Sequence, residues 1–390
     1  MDFTETDEHA MLRAAAGDVA AGFGHEWFRE RAHSGGRAEE LWQALAAPGF
    51  LSVHLPEQYG GGGGGMSELV VVSEAAAAQG CPLLLVLVSA GISAELLARF
   101  GTDAQRDRWL PGLCTGEKMV FAITEPDAGS NSHHLSTTAT RDGEVYRLRG
   151  TKTYISGVDE APSMLVVART GMDDATGRAQ LSLFVVDTGA PGIDRAPIPV
   201  EVAIPEKQFQ LFFADVEVSA DRLIGGEGDG LRQLFYGLNP ERILSASICT
   251  GIGQYALERA AAYAREREVW GAPIGTHQGV AHPLARAKVE LELARLMMQK
   301  AAWMHDHGTD DGADRIATGE AANMAKFAAA EAGAHCLDAA IQTHGGNGMA
   351  TEYGLADLWG LVRLLRIAPV SHEMILNFVA QQSLGLPKSY

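Results

Sequence analysis

Two short segments of the chain combine residue types that could hold a flat aromatic ligand. In residues 121–130 (FAITEPDAGS), a β-like run meets Pro126, whose fixed φ and missing N–H end regular strand pairing, and Asp-Ala-Gly then opens a turn. In residues 150–157 (GTKTYISG), the face of Tyr154 can cover a ring and the Ser156 hydroxyl can donate to it. Each segment by itself is also typical of an ordinary hairpin. The rest of the chain has to decide between the two interpretations.

The composition describes an acidic protein with a large core. The 390 residues are 46% hydrophobic, which is enough for two or three folded domains and excludes a disordered chain. Lys and Arg number 31 against 49 Asp and Glu, and the net charge of -18 repels nucleic-acid phosphates and anionic membranes. We therefore expect neither nucleic acid nor membrane among the partners.

Neither a membrane span nor a metal site is expected. The sequence has no run of about 18 apolar residues, and its acidic start, MDFTETDEH, is unlike a secretory signal. The four cysteines, at positions 81, 114, 249 and 336, show no ligand spacing, which is typical of reduced, buried thiols in a cytoplasmic protein. The histidines considered as ligands have no partner carboxylate at metal-ligand spacing: His133, His134, His282, His344 and His372.

Hydrophobic periodicity divides the chain into three parts. Residues 1–118 have helical spacing, residues 119–225 form short alternating runs separated by Gly, Pro and Asp, and helical spacing returns over 226–390. We therefore predict an α+β multidomain fold with an N-terminal helical domain, a middle antiparallel β-domain and a C-terminal four-helix bundle. No GxGxxG opens a βαβ unit, so a dinucleotide would not be held in a Rossmann manner. The six glycines at 60–65 are interpreted as a mobile surface loop, because no phosphate-loop Lys-Ser/Thr follows them.

Five segments in the same order give the chain its resemblance to a known family. Besides the two described above, they are FFADVEVSADRLIGGEGDG (212–230), EREVWGAPIGTHQ (266–278) and QTHGGNGMATEY (342–353). With them the sequence resembles the acyl-CoA dehydrogenases over nearly its whole length. The resemblance implies an oxidoreductase of fatty acid metabolism that holds FAD, oxidises an acyl-CoA to the trans-2-enoyl-CoA and passes electrons to an electron-transfer flavoprotein. It also implies a homotetramer or at least a dimer, with one FAD between protomers.

The resemblance further implies a carboxylate that removes the α-proton of the thioester. Most members carry it in a C-terminal Glu-Gly-Thr segment, but Pro369, Val370 and Ser371 occupy that position here. A minority, including the isovaleryl-CoA and long-chain enzymes, place the glutamate on a helix of the C-terminal domain, and the stretch 237–244 (GLNPERIL) puts Glu241 there. A glutamate next to an arginine is usually a solvated surface pair. Because the usual position has lost its carboxylate, we predict that Glu241 is the catalytic base.

Because of Pro240, the sequence allows two local structures around Glu241. A continuous helix through 237–244 would lose one backbone hydrogen bond at the proline and tend to kink. Alternatively, a helix begins here with Asn239 as its N-cap and Pro240 at the first helical position.

Pro369 removes a hydrogen-bond donor that the resemblance leads us to expect. In the family, the N–H at this position and a ribityl hydroxyl of FAD bind the thioester oxygen, and proline has no N–H. Losing one such donor costs about 10²–10³-fold in rate unless another group replaces it. We therefore expect either a replacement donor, from Val370 or Ser371, or a slow or altered reaction.

The other site residues also follow from the resemblance. Arg267 is expected to reach the FAD pyrophosphate from a neighbouring protomer, because a guanidinium can bind such an anion bidentately. The residues expected at the acyl-CoA are Ser130, Asn239 and Arg242. The remaining residues expected at FAD are Phe121, Ile123 and Thr124; Tyr154, Ile155 and Ser156; Trp270 and Gln278; and Gln342, Gly345, Gly346 and Ser371.

Two other functions remain open from the sequence. A relative on the same fold could use reduced flavin and oxygen, as an oxidase or monooxygenase does. A catalytically weak flavoprotein could instead serve as an assembly partner or bind nucleic acid, which Pro369 favours and which the acidic charge and Glu241 oppose.

Overall fold

The computed structural model describes residues 4–131, 134–173, 177–309 and 312–388. His133, one of the histidines considered above, lies outside these ranges. None of the helices in the described ranges combines the length and the hydropathy that a membrane crossing requires. All four cysteines are buried and unpaired, as their spacing predicts.

The first part of the chain is helical. Thr6 and Thr102 cap two of its helices, because each hydroxyl accepts a hydrogen bond at 3.2 Å from the backbone N–H three residues later. The apolar stretch 81–88 is largely buried and leads into a π-helix, Val86–Ala94. The α-helices of this part are α1 (Asp7–Ala21), α2 (Gly24–Ser34), α3 (Glu39–Ala46), α4 (Met66–Ala78), α5 (Glu95–Phe100) and α6 (Asp103–Cys114).

Eight strands form one sheet in the middle of the chain. They are β1 (Met119–Ala122), β2 (Thr138–Asp142), β3 (Val145–Ser156), β4 (Ser163–Met172), β5 (Ala179–Asp187), β6 (Ile193–Ile198), β7 (Gln208–Ser219) and β8 (Leu223–Ile224). Their spatial order is β6-β7-β3-β2-β4-β5-β8, with β1 beside β4. The predicted antiparallel pairing holds for most neighbours, but β4 runs parallel to both β1 and β2. Alternation of side chains predicts strands and not their pairing direction, so the sequence did not reveal this exception.

Long helices form the last part of the chain. They are α7 (Gly230–Glu266), α8 (Gln278–His307), α9 (Gly312–His344), α10 (Trp359–Ile367) and α11 (His372–Gln382), and a short ribbon of β9 (Glu268–Val269) and β10 (Ala272–Pro273) joins α7 to α8. Helix α7 continues through Pro240, so the first of the two alternatives for 237–244 is correct. Glycines permit close approach to this helix, since a Cβ on Gly333 of α9 would lie 2.7 Å from the Cys249 carbonyl oxygen of α7.

The glycine run at 60–65 is a surface loop, but it is compact. Four consecutive amides donate to carbonyl oxygens of the preceding turn at 2.9 to 3.2 Å. A Cβ on Gly62 would lie 2.7 Å from the Val53 carbonyl oxygen, so the backbones approach too closely for a larger residue. The glycines therefore form a surface loop, as predicted, and they serve close packing of its backbone, while the mobility of the loop stays a prediction. The bonded amides are those of Gly61, Gly62, Gly63 and Gly64.

A buried carboxylate joins the N-terminal helices to the C-terminal bundle. Glu74 of α4 has no exposed surface, and its two oxygens accept from Arg13 of α1 at 2.6 Å and Arg295 of α8 at 2.8 Å. Although burial alone would raise the pKa of Glu74, the two guanidinium groups hold it below the ordinary value. The carboxylate is therefore ionised and bridges three helices.

Replacing this carboxylate should destabilise the fold. We expect Glu74→Ala to lower the free energy of unfolding by about 3 kcal/mol, because two guanidinium groups lose their buried partner. Denaturant titration at neutral pH measures the change. Glu266→Ala, which removes an exposed carboxylate from α7, is the control and should change little. Equal midpoints for the two variants would contradict the bridging role.

Candidate active site

A buried ion pair fastens the two segments that the sequence first singled out. The Lys152 ammonium lies 2.9 Å from Glu125 Oε1 and donates to the Ile123 carbonyl oxygen at 2.8 Å. The lysine is 0% exposed and the glutamate 3%. Ser136 donates to the same carboxylate through its N–H and its hydroxyl, each at 2.6 Å, and the Thr137 N–H donates at 3.0 Å. One carboxylate thus fixes the turn after β1 and one ammonium ties that turn to β3.

The ion pair keeps Glu125 charged. Burial alone would raise the pKa of this carboxyl, but Lys152 and the donors on Ser136 and Thr137 lower it to about 2. The stability that these contacts contribute is therefore present above the unfolded-state pKa, near 4 for a glutamate, and is lost as the pH falls towards 2.

A β-bulge turns Tyr154 out of the sheet. The register of β3 against β7 shifts between Lys152 and Ile155, and Tyr154 takes a left-handed conformation with φ 56°. Its side chain is 61% exposed, whereas Ile155 is buried. The Thr153 N–H donates to the Thr124 carbonyl oxygen at 2.9 Å, which joins the backbone of this bulge to the first segment. The structure therefore places the tyrosine beside the turn after β1, as the sequence led us to expect.

The remaining side chains of residues 121–130 and 150–157 differ in exposure. Phe121 is 7% exposed and packs in the core, while Ile123 and Thr124 are half-buried at the end of β1. The Ser156 hydroxyl donates to Gln208 Oε1 at 3.0 Å. Its oxygen is then free to accept a hydrogen bond, but its proton is engaged unless the hydroxyl rotates. Ser130 lies exposed at the far end of the turn.

Glu241 lies on α7 in surroundings that suit a proton acceptor. Its side chain is half-buried, and no hydrogen bond or ion pair joins its carboxylate to any of the described residues. Burial raises the pKa of Glu241 to about 7, against the opposing pull of Arg242 and Lys326. A carboxylate with this pKa can take up a proton at neutral pH, as a general base must.

The two neighbours expected at the substrate are buried beside Glu241. Arg242 Nη1 donates to Asn239 Oδ1 at 3.0 Å, one turn earlier on α7. Burial lowers the pKa of Arg242 to about 10, so it remains a cation at neutral pH. Its Nε is buried with no acceptor in the described part of the chain. An unsatisfied buried donor is costly, and a polar ligand group would relieve that cost.

The segment between α10 and α11 offers two backbone donors. Pro369 has no N–H, and the N–H groups of Val370 and Ser371 have no acceptor among the described residues. The Ser371 hydroxyl accepts from the Met374 N–H at 3.3 Å and caps α11. The replacement donors that the sequence led us to expect are therefore available in the backbone.

The residues expected at the far end of the cofactor are exposed around the β9-β10 ribbon and at the end of α9. Arg267 and Gln278 flank the β9-β10 ribbon, and Trp270 at its tip is 91% exposed with φ 53°. Gln342, Gly345 and Gly346 are exposed at the end of α9. The ends of α7 and α9 meet where the Tyr263 ring stacks on His344 at 4.3 Å. In the described residues we find no cluster of His, Cys, Asp and Glu that could hold a metal ion.

Sequence reasoning missed three buried charged residues of the site: Glu125, Lys152 and Lys326. The first two stand inside the quoted segments, where a Glu follows the apolar run at 121–123 and a Lys stands in the strand of the second segment. Lys326 gives no such signal, because a lysine in an Ala-rich helix is usually solvated.

Comparison with known proteins gives the family. The acyl-CoA dehydrogenase N-terminal, middle and C-terminal domain models match residues 6–117, 120–216 and 228–384. Acyl-CoA dehydrogenase FadE12 of Mycobacterium tuberculosis is 52% identical over 100% of this chain and 99% of its own length. The chain therefore belongs to the acyl-CoA dehydrogenase family and is an oxidoreductase, which confirms the predicted family and fold.

Two solved structures are similar over almost the whole chain. Butyryl-CoA dehydrogenase from Megasphaera elsdenii has a TM-score of 0.91 at 27% identity, covering 98% of this chain and all of its own. The FAD complex of PigA has a TM-score of 0.90 at 27% identity, covering 99% of this chain and all of its own.

The predicted cofactor, FAD, fits the residues that are present. Tyr154 stands clear of the sheet beside a backbone turn, which suits the face of a flat ring. Nothing lies within 4 Å of the place where a Cβ would stand on Gly345 or Gly346, so a ligand could approach that backbone. Arg267 is exposed and can bind a pyrophosphate.

The role of the Glu125–Lys152 ion pair can be tested by mutation. We expect Lys152→Met to lower stability by about 3–5 kcal/mol and to reduce the bound FAD, because Glu125 is left buried and charged. Thermal unfolding and the flavin-to-protein absorbance ratio measure both effects. The double variant Glu125→Gln/Lys152→Met removes both charges and should regain part of the stability. Arg147→Met, at an exposed ion pair on the same strand, is the control. A Lys152 variant with the same stability and bound FAD as this control would contradict the role of the ion pair.

Proposed function

We propose that this protein catalyses the FAD-dependent α,β-dehydrogenation of an acyl-CoA thioester to the trans-2-enoyl-CoA. The observation that carries the proposal is the carboxylate of Glu241, which is half-buried, unpaired among the described residues and raised in pKa to about 7. Family membership supplies the class of reaction, and the loss of a carboxylate at Pro369 leaves Glu241 to act as the base.

Glu241 would accept the proton from the carbon next to the thioester carbonyl. Its carboxylate must be ionised to do so, and its surroundings lower the cost of taking up a proton at neutral pH. FAD, when bound, supplies the acceptor for the hydride that leaves the β-carbon. The residues that would hold its ring are Phe121, Ile123, Thr124, Tyr154, Ile155, Ser156 and Ser371.

Backbone donors would stabilise the negative charge that develops on the thioester oxygen. The free N–H groups of Val370 and Ser371 lie in the segment where the family provides its donor, and they would replace the one that Pro369 lacks. Arg242, with its unsatisfied Nε, and Asn239 would line the channel of the CoA portion, with Ser130 at the β-domain side.

We also propose that the protein acts as a homo-oligomer, a tetramer or dimer, and passes electrons to an electron-transfer flavoprotein. Helix α8 presents an exposed apolar stripe on residues at helical spacing: Val289, Leu293 and Leu296. Trp270 stands at the tip of the exposed β9-β10 ribbon, and Arg267 and Gln278 flank this ribbon, which suits contact with the FAD of a neighbouring protomer. We retain the predicted domain boundaries, 1–118, 119–225 and 226–390, and the cytoplasmic location expected from the reduced cysteines.

Anaerobic flavin reduction tests the reaction and its base. A panel of acyl-CoAs mixed with the purified holoenzyme without oxygen should bleach the flavin, and Glu241→Gln should abolish the bleaching. The rate should rise about tenfold per pH unit below pH 7 and level off above it, because only the ionised carboxyl accepts a proton.

Matched measurements separate catalysis from folding. Glu258→Gln, an exposed site on the same helix, should keep the wild-type rate. Because the folded protein raises the pKa of Glu241, its ionised form is destabilising above that pKa, and Glu241→Gln should be at least as stable as wild type at pH 8. Full bleaching by the Glu241 variant would sink the assignment, and rapid reoxidation by air would favour the oxidase alternative.

Assembly can be tested at the α8 stripe. Leu293→Glu places a charge at the centre of an exposed apolar surface and should reduce the oligomer to a lighter species in light scattering after gel filtration. Met11→Glu, at an equally exposed apolar site on α1, should leave the mass unchanged. A wild-type monomer would refute the oligomer, and an unaffected Leu293 variant would show that α8 does not form the interface.

A further inference from the structure

A buried lysine touches the segment that carries the free backbone donors. Lys326 of α9 is 1% exposed, and its ammonium donates to the Val370 carbonyl oxygen at 2.6 Å. This is the middle of the short segment that joins α10 to α11. A charged donor to a carbonyl oxygen is among the stronger hydrogen bonds of a protein, so it restrains that carbonyl firmly.

The flanks of the same segment are held by other contacts. The His372 ring packs on Phe327 with ring centres 4.5 Å apart, and its Nδ1 lies 3.0 Å from Glu331 Oε1. Arg366 donates to the other oxygen of Glu331. These contacts fix the end of α10 and the start of α11, whereas Lys326 fixes the peptide between them.

The geometry of one peptide group connects Lys326 to a donor. The Val370 carbonyl and the Ser371 N–H belong to the same planar peptide unit, in which C=O and N–H point in opposite directions when the bond is trans. The only cis peptide bond of the described chain is the one between Ala368 and Pro369. Holding the carbonyl against Lys326 therefore directs the Ser371 N–H, which has no acceptor in the described residues, away from α9.

The same ammonium acts on the proposed base. Lys326 and Arg242 are the two cations that oppose the burial of Glu241 and lower its pKa. Burial lowers the pKa of Lys326 itself to about 8, so the amine remains mostly protonated at neutral pH. The other charged or titratable groups around it are Cys249 on α7, Arg366 on α10, and His372 and Glu373 on α11.

We propose that Lys326 is a positioning residue for the dehydrogenation: it fixes the Val370–Ser371 peptide so that the Ser371 N–H can serve the thioester oxygen. The proposal rests on the proposed function. Burying a lysine costs stability, and the proposal gives this lysine a role. It positions the N–H that would replace the donor that Pro369 lacks.

Three variants of the holoenzyme separate this role from simple packing. Lys326→Met keeps the length and apolar body of the side chain and removes its charge and donors. Lys326→Arg keeps a cation and a donor. Lys300→Met removes an exposed lysine from α8 and serves as the matched control.

Flavin reduction and its pH profile are the first measurements. For Lys326→Met we expect reduction slower on the order of 10²-fold at saturating acyl-CoA, since a donor displaced by about 1 Å loses that much. We expect the pH midpoint to move up by about one unit, because a carboxylate that loses a neighbouring cation gains pKa. Lys326→Arg should recover part of the rate and most of the midpoint.

Amide exchange gives a measurement that does not depend on turnover. Hydrogen–deuterium exchange of peptides covering residues 367–373 should speed up in Lys326→Met and stay unchanged in Lys300→Met, while peptides of the β-sheet stay protected in both. Affinity for an alkyl-CoA thioether that cannot reduce the flavin, measured by calorimetry, should change less than threefold, because the thioether lacks the carbonyl oxygen.

The outcomes distinguish the two proposals. If wild type is bleached and Lys326→Met keeps both its rate and its pH midpoint, the role of Lys326 is refuted and the proposed function stands. If no acyl-CoA bleaches the wild type, the proposed function itself fails. A slower variant with an unshifted midpoint and unchanged exchange would also refute the positioning role, since a nonspecific packing defect would explain it.

Discussion

The structure depends on one buried ion pair, between Glu125 and Lys152. Residues 121–130 and 150–157 are joined by a backbone hydrogen bond, from the Thr153 N–H to the Thr124 carbonyl oxygen, and by the ion pair between their side chains. The carboxylate collects three donors from residues 136 and 137 besides the ammonium, and the ammonium also binds the carbonyl of residue 123. Because both charges are fully buried, the arrangement has few alternatives: any displacement leaves an uncompensated charge in the core.

Buried charged groups also surround the proposed base. The pKa of Glu241 is about 7, because burial raises it and two cations lower it. Lys326 is one of those cations and also holds the segment that contains Pro369. Glu241 and Arg242 lie on α7 and Lys326 lies on α9, and close packing at Gly333 holds these two long helices together.

Some tertiary features follow from small sequence details. The bulge at Tyr154 turns one aromatic side chain out of β3, which pairs with β7 before and after the bulge, and an uninterrupted alternation could not do this. The glycines at 61–64 look like a linker in composition, yet they allow four amides to reach carbonyl oxygens of the preceding turn. In both places the local backbone conformation, rather than the residue type alone, decides what the side chains and amides contact.

By itself, the sequence determined the order of the three parts, the family and the candidate base, because hydrophobic periodicity and motif order can be read along the chain without knowing the fold. It left open whether α7 runs through Pro240 and how β4 pairs, and only the tertiary structure decided both. What replaces the donor at Pro369 stays a proposal. The burial that raises the pKa of Glu241, the pairing of Glu125 with Lys152 and the contact of Lys326 with residue 370 exist only once the chain has packed.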